Sequence, residues 1–254
     1  MRPALRSAPP GWQARRAAGS RARGCAAAAG VSGAIAVFAK LPRPGQVKTR
    51  LCPPFSPEQA ASLYACILDD VLETTAQAAR ELALVPVLAV HPPAACSELA
   101  RRAPGYRVLA QRGKDLAERM ERAVSVLADQ EQGPVLLRGS DSPALAPEVL
   151  GDALAALREA DLVLSPDRDG GYNLVGLRRP VPGIFRHPMS TPEVLSATLA
   201  NARKRALRAR VLATAFDIDV VEDLHLLAVA RREGAARCCL RTLAWLDHNR
   251  AWPG

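Results

Sequence analysis

The sequence predicts an α/β protein, a mostly parallel sheet with helices on both faces. Two observations lead there. Short apolar runs of strand length alternate with stretches of helical periodicity, joined by short loops. Several of these runs also end in loops dense in charge, glycine and proline, and open α/β sheets place their ligands at such strand ends. At 254 residues, 49% hydrophobic and 23% charged, the chain suits one larger domain, read as residues 33–254. Residues 1–32 are read as a disordered Arg/Ala-rich extension. Arg2, Arg6, Arg15, Arg16, Arg21 and Arg23 stand there without an acid or a clean periodicity.

Each element has its own signal. Ala34 to Ala39 is an apolar run too short for a helix. Ser56-Pro57-Glu58-Gln59 starts a helix, with Ser56 as cap, Pro57 at the first helical position and Gln59 completing a capping box; the helix is expected to run to about Arg80. Leu84 to Val90 is a second strand, closed by Pro92-Pro93, and Tyr106 to Ala110 a third. Lys114 to Gln130 carries Leu116, Met120, Ala123, Val124 and Leu127 at helical spacing. Pro134 to Arg138 is a fourth strand. Pro147 to Glu159 reads as helix, then Leu162 to Ser165 and Tyr172 to Leu177 as strands. Ser190-Thr191-Pro192-Glu193 is expected to cap a helix to about Arg205, and Val211 to Phe216 to form a late strand. Two terminal helices follow, Val220 to Arg231 and Ala235 to Leu246.

Charge and cysteine usage narrow the function. Removing the six N-terminal arginines from the net +9 leaves +3, so nucleic-acid binding is not implied. No stretch approaches 18 apolar residues, so no membrane span is expected, and Cys25 to Val31 is too short for a secretory signal core. The six cysteines show no C-x-x-C and no zinc spacing with histidine. They read as free thiols of a cytoplasmic protein.

Four segments could carry chemistry. The first strand delivers a loop with Pro42, Pro44, Gly45 and the cations Lys40, Arg43, Lys48 and Arg50. Backbone N–H groups at a glycine turn, with Lys and Arg, satisfy phosphate oxygens; a solvated basic turn is the plainer alternative. Asp141, in Gly139-Ser140-Asp141-Ser142-Pro143, sits just past the fourth strand. It suits a Mg²⁺ ion that takes one or two carboxylates plus substrate phosphates, or merely caps the following turn. Asp217 and Asp219 follow the late strand and would share a face if it continued, although Asp219 and Glu222 also have capping-box spacing. Asp169-Gly170-Gly171-Tyr172 suggests backbone close to a ligand, or a hairpin turn. A weaker fifth segment, Gln111 to Met120, contains Gly113.

In this order, F-A-K-x-P-x-P-G-x-V-K-T-R-L, G-S-D-x-P-x-L, D-G-G-Y-x-L-x-G-L, S-T-x-x-V-L and D-I-D-x-x-E-D-L resemble the motifs of a bacterial family of GT-A-like proteins. That family is described as glycosyltransferases or as domains of unknown function, and some members are linked to arsenosugar biosynthesis. It is similar to the 2-phospho-lactate guanylyltransferases and to other nucleotidyltransferases. The resemblance covers about residues 34–230 and implies the GT-A, nucleotide-diphospho-sugar transferase fold. It implies that Lys40, Pro44, Gly45, Lys48, Thr49 and Arg50 bind nucleotide, that Asp141 and Asp219 hold Mg²⁺ or Mn²⁺, and that Asp169, Gly170, Gly171 and Tyr172 line the acceptor or sugar pocket. Gly113 joins the binding set. The chain departs from the family at Asn173, where a second Tyr is usual, at Met189, where Trp is usual, and at Val220-Val221, where Thr-Pro is usual.

The expected function is metal-dependent transfer of a sugar from a nucleotide-sugar donor to a small-molecule acceptor. Asp141 and Lys48 would stabilise the leaving diphosphate and Asp169 would be the base. The alternatives are nucleotidyl transfer from an NTP to a phosphorylated acceptor, and a degenerate nucleotide-binding protein.

Overall fold

The computed structural model describes residues 33–253; the extension expected at residues 1–32 lies outside the described residues. The strands are Ala34–Ala39 (β1), Val85–Val90 (β2), Arg107–Ala110 (β3), Val135–Gly139 (β4), Leu162–Pro166 (β5), Tyr172–Leu177 (β6) and Ala209–Val211 (β7). They form one sheet in the order β3-β2-β1-β4-β6-β5-β7. β1 pairs in parallel with β2 on one side and β4 on the other, while β6 runs antiparallel between β4 and β5. The chain therefore leaves β1 in one direction and returns to its other side as β4. That reversal opens a crevice beyond the carboxyl ends of β1 and β4, the usual ligand position in such sheets.

The helices are Pro57–Glu81 (α1), Cys96–Arg102 (α2), Leu116–Glu131 (α3), Pro147–Ala156 (α4), Val194–Lys204 (α5), Asp223–Arg232 (α6) and Leu240–His248 (α7). Strand alternation sends Ala34, Ala36, Val87 and Leu137 toward Met120, Val124 and Leu127 of α3 and Ala202 of α5. Ile35, Val37, Leu88 and Leu136 go to the other face, against α1, α2 and α4. Both faces of the central strands are thus covered, which explains their unbroken apolar runs. Each fully buried leucine contributes about 2 kcal/mol relative to exposure. α1 is buried on a second side too, where Leu63 and Ile67 meet Leu224, Leu227 and Leu246 of the terminal helices. Among the described residues no helix is long and apolar enough to cross a membrane.

The α1 start follows its sequence signal: Ser56 Oγ accepts from Gln59 N, Gln59 Oε1 accepts from Ser56 N, and Pro57 leads the helix. Other ends differ. The late strand is only Ala209–Val211. Beyond it the backbone bonds to β5 twice, Leu212 N to Leu164 O at 2.8 Å and Ala215 N to Pro166 O at 2.9 Å, and then bends so that Ile218 N reaches Asp141 O at 2.9 Å. α5 starts at Val194 without a side-chain cap, because Leu195 N is tied to Gly170 O at 2.9 Å. α7 starts at Leu240 rather than near Ala235. Its first N–H groups go to a residue of α1: the buried Asp70 carboxylate accepts from Arg241 N at 3.0 Å and Thr242 N at 2.8 Å.

Candidate active site

Three loops converge at the crevice. Lys48 ends the basic turn in a left-handed conformation, φ 48°. This aims a long side chain inward, and only 4% of it remains exposed. Its ammonium lies between two carboxylates, ion-paired with Asp141 Oδ1 and at 2.8 Å from Asp219 Oδ1. It also sits 5.9 Å from the centre of the Tyr64 ring. Burial opposes the charge, but the two aspartates outweigh it and hold Lys48 above its ordinary value. Tyr64 in turn braces the strand ends: its hydroxyl accepts from Lys40 N at 3.2 Å and lies 2.9 Å from Ser140 Oγ. Burial first, then Asp141, pushes that phenol up to about 12.

Asp141 divides two cavities. On one side, a cavity of about 540 Å³ is lined by Lys40, Lys48, Thr49, Arg50, His91 and Arg119, with Gln111 and Asp219. Arg50 is 69% exposed and lies 3.9 Å from Asp219. Arg119 Nη1 lies 3.1 Å from His91 Nε2; burial, then Arg119 and Lys40, keep that imidazole below its ordinary value. On the other side, a cavity of about 280 Å³ has apolar walls, among them Phe38, Leu116, Met120 and Val175, and a rim of Asp141, Asp167, Asp169 and Asp217.

The acid rim is built on the bent segment after β7. Asp217 N donates to Asp167 Oδ1 at 3.1 Å, and Ser142 Oγ donates to Asp217. Burial raises Asp217 well above the usual carboxylate range, with Asp141 and Asp167 adding repulsion. Burial, then the neighbouring Asp169, lifts Asp167 to about 6 against a backbone hydrogen bond that opposes the rise. Among the described residues, Asp167, Asp169 and Asp217 form no ion pair. Arg138 also lines this cavity; its guanidinium donates to Thr75 Oγ1 at 2.9 Å and Ser142 O at 3.0 Å, and its Nε has no partner.

Residues 72–191 match a family model described as an uncharacterized protein conserved in bacteria, DUF2064. A curated relative from Chloroflexus aggregans, phosphoenolpyruvate guanylyltransferase, is 28% identical over 190 residues, which is 73% of this chain and 92% of that protein. A solved protein of Desulfovibrio desulfuricans G20, provisionally described as a nucleotide-diphospho-sugar transferase, superposes with a TM-score of 0.73 at 29% identity, covering 85% of this chain and 97% of that one. A CMP:2-keto-3-deoxy-manno-octonic acid synthetase complexed with CTP shares the fold, with a TM-score of 0.51 at 14% identity over 80% of this chain and 99% of that one. The chain has the nucleotide-diphospho-sugar transferase fold, and it is a transferase.

The structure gathers Lys40, Lys48, Thr49, Arg50, Asp141 and Asp219 around the larger cavity and Asp141, Asp169, Gly171 and Tyr172 around the smaller one. Pro44, Gly45, Gly113 and Gly170 line neither. Gly45 makes the basic turn at φ +71°, and Gly170, at φ +91°, lies against the Pro192 backbone so closely that no side chain fits. These two glycines shape the loops rather than meet a ligand. Asp219 does not cap α6. Its own N–H and that of Val220 donate to Asp223 Oδ2, at 2.8 and 2.9 Å, which leaves its carboxylate to Lys48. Asp217 and Asp219 part company, one at each cavity, because the segment is bent rather than a strand. Sequence reasoning gave no role of their own to His91, Gln111, Arg119 and Asp167, although Gln111 and Arg119 lie in the weaker fifth segment and Asp167 two residues before Asp169. His91 and Gln111 stand one residue beyond the carboxyl ends of β2 and β3, a signal available from the strand boundaries alone.

The donor set fits a divalent ion. Asp141 and Asp219 already converge on one cation, the Lys48 ammonium, and both remain about a third exposed, at 36% and 40%. Two carboxylates with room for phosphate oxygens and water suit Mg²⁺ or Mn²⁺. Among the described residues no three His, Cys, Asp or Glu side chains gather for a metal, so the protein would supply those two.

Proposed function

We propose that the chain is a metal-dependent glycosyltransferase that uses a nucleotide-sugar donor. The observation that carries this reading is the division of charge at Asp141. The larger cavity offers Lys40, Lys48, Arg50 and Arg119 to anionic phosphates, whereas the smaller one offers four carboxylates and a largely apolar wall, with a single cation, Arg138, whose guanidinium donates to Thr75 and Ser142. Ionised carboxylates only accept hydrogen bonds; they suit hydroxyls and repel phosphate. The nucleotide diphosphate belongs on the first side, and an uncharged sugar with its acceptor hydroxyl on the second. Asp141 and Asp219 would hold Mg²⁺ or Mn²⁺, which when bound neutralises charge on the leaving diphosphate. Lys48 and Arg50 stabilise the same charge as it grows. In the transfer, the bond from the anomeric carbon to the phosphate oxygen breaks and a bond to the acceptor oxygen forms. Asp169, beside Asp167 on the rim, takes the hydroxyl proton.

A second reading, nucleotidyl transfer, is favoured by the name of the Chloroflexus relative and by the single acid in Gly139-Ser140-Asp141-Ser142. An NTP would fill the larger cavity, and an acceptor phosphate would attack its α-phosphorus and release pyrophosphate. Phosphorus NMR separates the two. The protein is incubated with Mn²⁺ and either a panel of nucleotide sugars with simple alcohols or a panel of NTPs with phosphoenolpyruvate. Release of nucleoside diphosphate from a nucleotide sugar supports glycosyl transfer. Pyrophosphate from an NTP moves the assignment to the second reading, and neither product overturns both.

A further inference from the structure

The smaller cavity has a feature that hydroxyl recognition by carboxylates alone does not require. Asn173, at the irregularity where the β5–β6 register shifts, lines the cavity, and it is 2% exposed. Its Nδ2 donates to Pro166 O at 3.4 Å, a long bond, and its Oδ1 has no partner. A buried acceptor without a donor is uncommon in folded proteins. Here it sits on the wall of a cavity whose rim carries Asp167, Asp169 and Asp217, none of them ion-paired among the described residues. Arg168, between two of them in sequence, is exposed and does not line the cavity. Arg138 is the cavity's one cation, with its guanidinium donating to Thr75 Oγ1 and Ser142 O and its Nε unpartnered, and Tyr172, Ser190 and Thr191 bring hydroxyls; against them stand four carboxylates and the Asn173 oxygen, so acceptors and negative charge predominate. Phe38, Leu116, Met120, Val175 and Met189 form apolar walls.

We propose that this cavity binds a protonated amine on an apolar body, with Asn173 Oδ1 and the Asp167–Asp217 rim accepting its N–H bonds. The inference rests on the transferase reading in one respect: the amine belongs to the acceptor, whose hydroxyl then faces the larger cavity across Asp141. Three N–H donors of an ammonium match the unfilled acceptors, and its charge meets the unpaired carboxylates. Asn173, standing where the related family carries a tyrosine, is then a specificity-determining residue. A carboxylate or phosphate at the same place would meet like charge.

The test uses three probes of one shape: tyramine, the neutral alcohol tyrosol, and 4-hydroxyphenylacetate. Calorimetry gives their affinities for the intact protein, and a nucleotide-sugar panel with Mn²⁺ is titrated into the same sample. Tyramine is expected to bind about tenfold or more tighter than tyrosol, as hydrogen bonds to a charged group warrant, with the acid weakest. Asn173→Leu is expected to lose most of that preference while nucleotide binding is unchanged. Equal binding of tyramine and tyrosol, or tighter binding of the acid, overturns the proposal on the unmodified protein, whatever the variant's folding. Amine preference without any nucleotide binding leaves the amine site standing and overturns the donor reading. Nucleotide binding without amine preference does the reverse.

Discussion

On the Lys48 side of Asp141, a buried ammonium meets two carboxylates that are about a third exposed, and Tyr64 and Ser140 brace the strand ends beneath it. The Asp217 side differs. Among the described residues three carboxylates there form no ion pair, the one lining cation, Arg138, donates to Thr75 and Ser142, and burial above all raises Asp217 and Asp167 toward protonation. The two cavities share Phe38, Leu116, Gly139, Asp141 and Ser190, so the contrast arises within a few residues. A paired cluster is poised to exchange its internal cation for a metal and phosphates. An unpaired one carries a cost that a ligand of the right charge removes.

Asp141 is the one charged residue common to both cavities, and its removal should have the largest effect. Asp141→Ala is expected to lower turnover with donor and Mn²⁺ by about a hundredfold to a thousandfold, the range for loss of one group that stabilises transition-state charge. It should also remove most of the Mn²⁺-dependent rise in melting temperature with nucleotide. Retention of both would break the division drawn at this residue.

Lys48→Met separates pairing from binding. The variant leaves Asp141 and Asp219 facing each other without a cation, and stability without metal should fall by about 2 kcal/mol, below the full cost of breaking a buried pair because both acids are partly solvated. Mn²⁺ should then raise its melting temperature more than that of the parent protein, since the ion takes over the work of the ammonium and binding to the folded state stabilises it. Equal shifts in a calorimetric scan would mean that the two carboxylates do not hold metal.

The central sheet was legible because β1, β2 and β4 are buried on both faces and so announce themselves as apolar runs bounded by turn residues. The capping box of α1 is local chemistry and folded as read. What escaped the sequence is non-local. β7 ends at Val211, the chain keeps two further bonds to β5, and it then bends where Ile218 N reaches Asp141 O in the loop past β4. α7 starts at Leu240 because Asp70 on α1 receives its first N–H groups. Lys48, Asp141 and Asp219 were readable as motif positions. The partner each found was not, and neither was the role of Asp167, whose chemistry comes from Asp169 in its own loop and Asp217 in the segment after β7.

The smallest expected effect concerns the unpaired side alone. Asp167 titrates at about 6 in the folded chain, against an ordinary aspartate value of about 3.9 when unfolded. Between those two values the folded state binds the proton more tightly than the unfolded state does. Stability contributed by that proton is complete below about pH 4 and is lost as pH rises through about 6. A two-unit shift corresponds to roughly 3 kcal/mol, but Asp167 is only half-buried and screening by solvent reduces this to about 1 kcal/mol. Asp167→Asn keeps an oxygen for Asp217 N and removes the charge. It should raise the melting temperature at pH 8 by about 3 °C and leave it unchanged at pH 4. Tyramine should stabilise the variant less than the parent at pH 8. A gain at pH 4 as large as at pH 8 would locate the benefit in packing, and the two sides of Asp141 would then differ in shape rather than in charge.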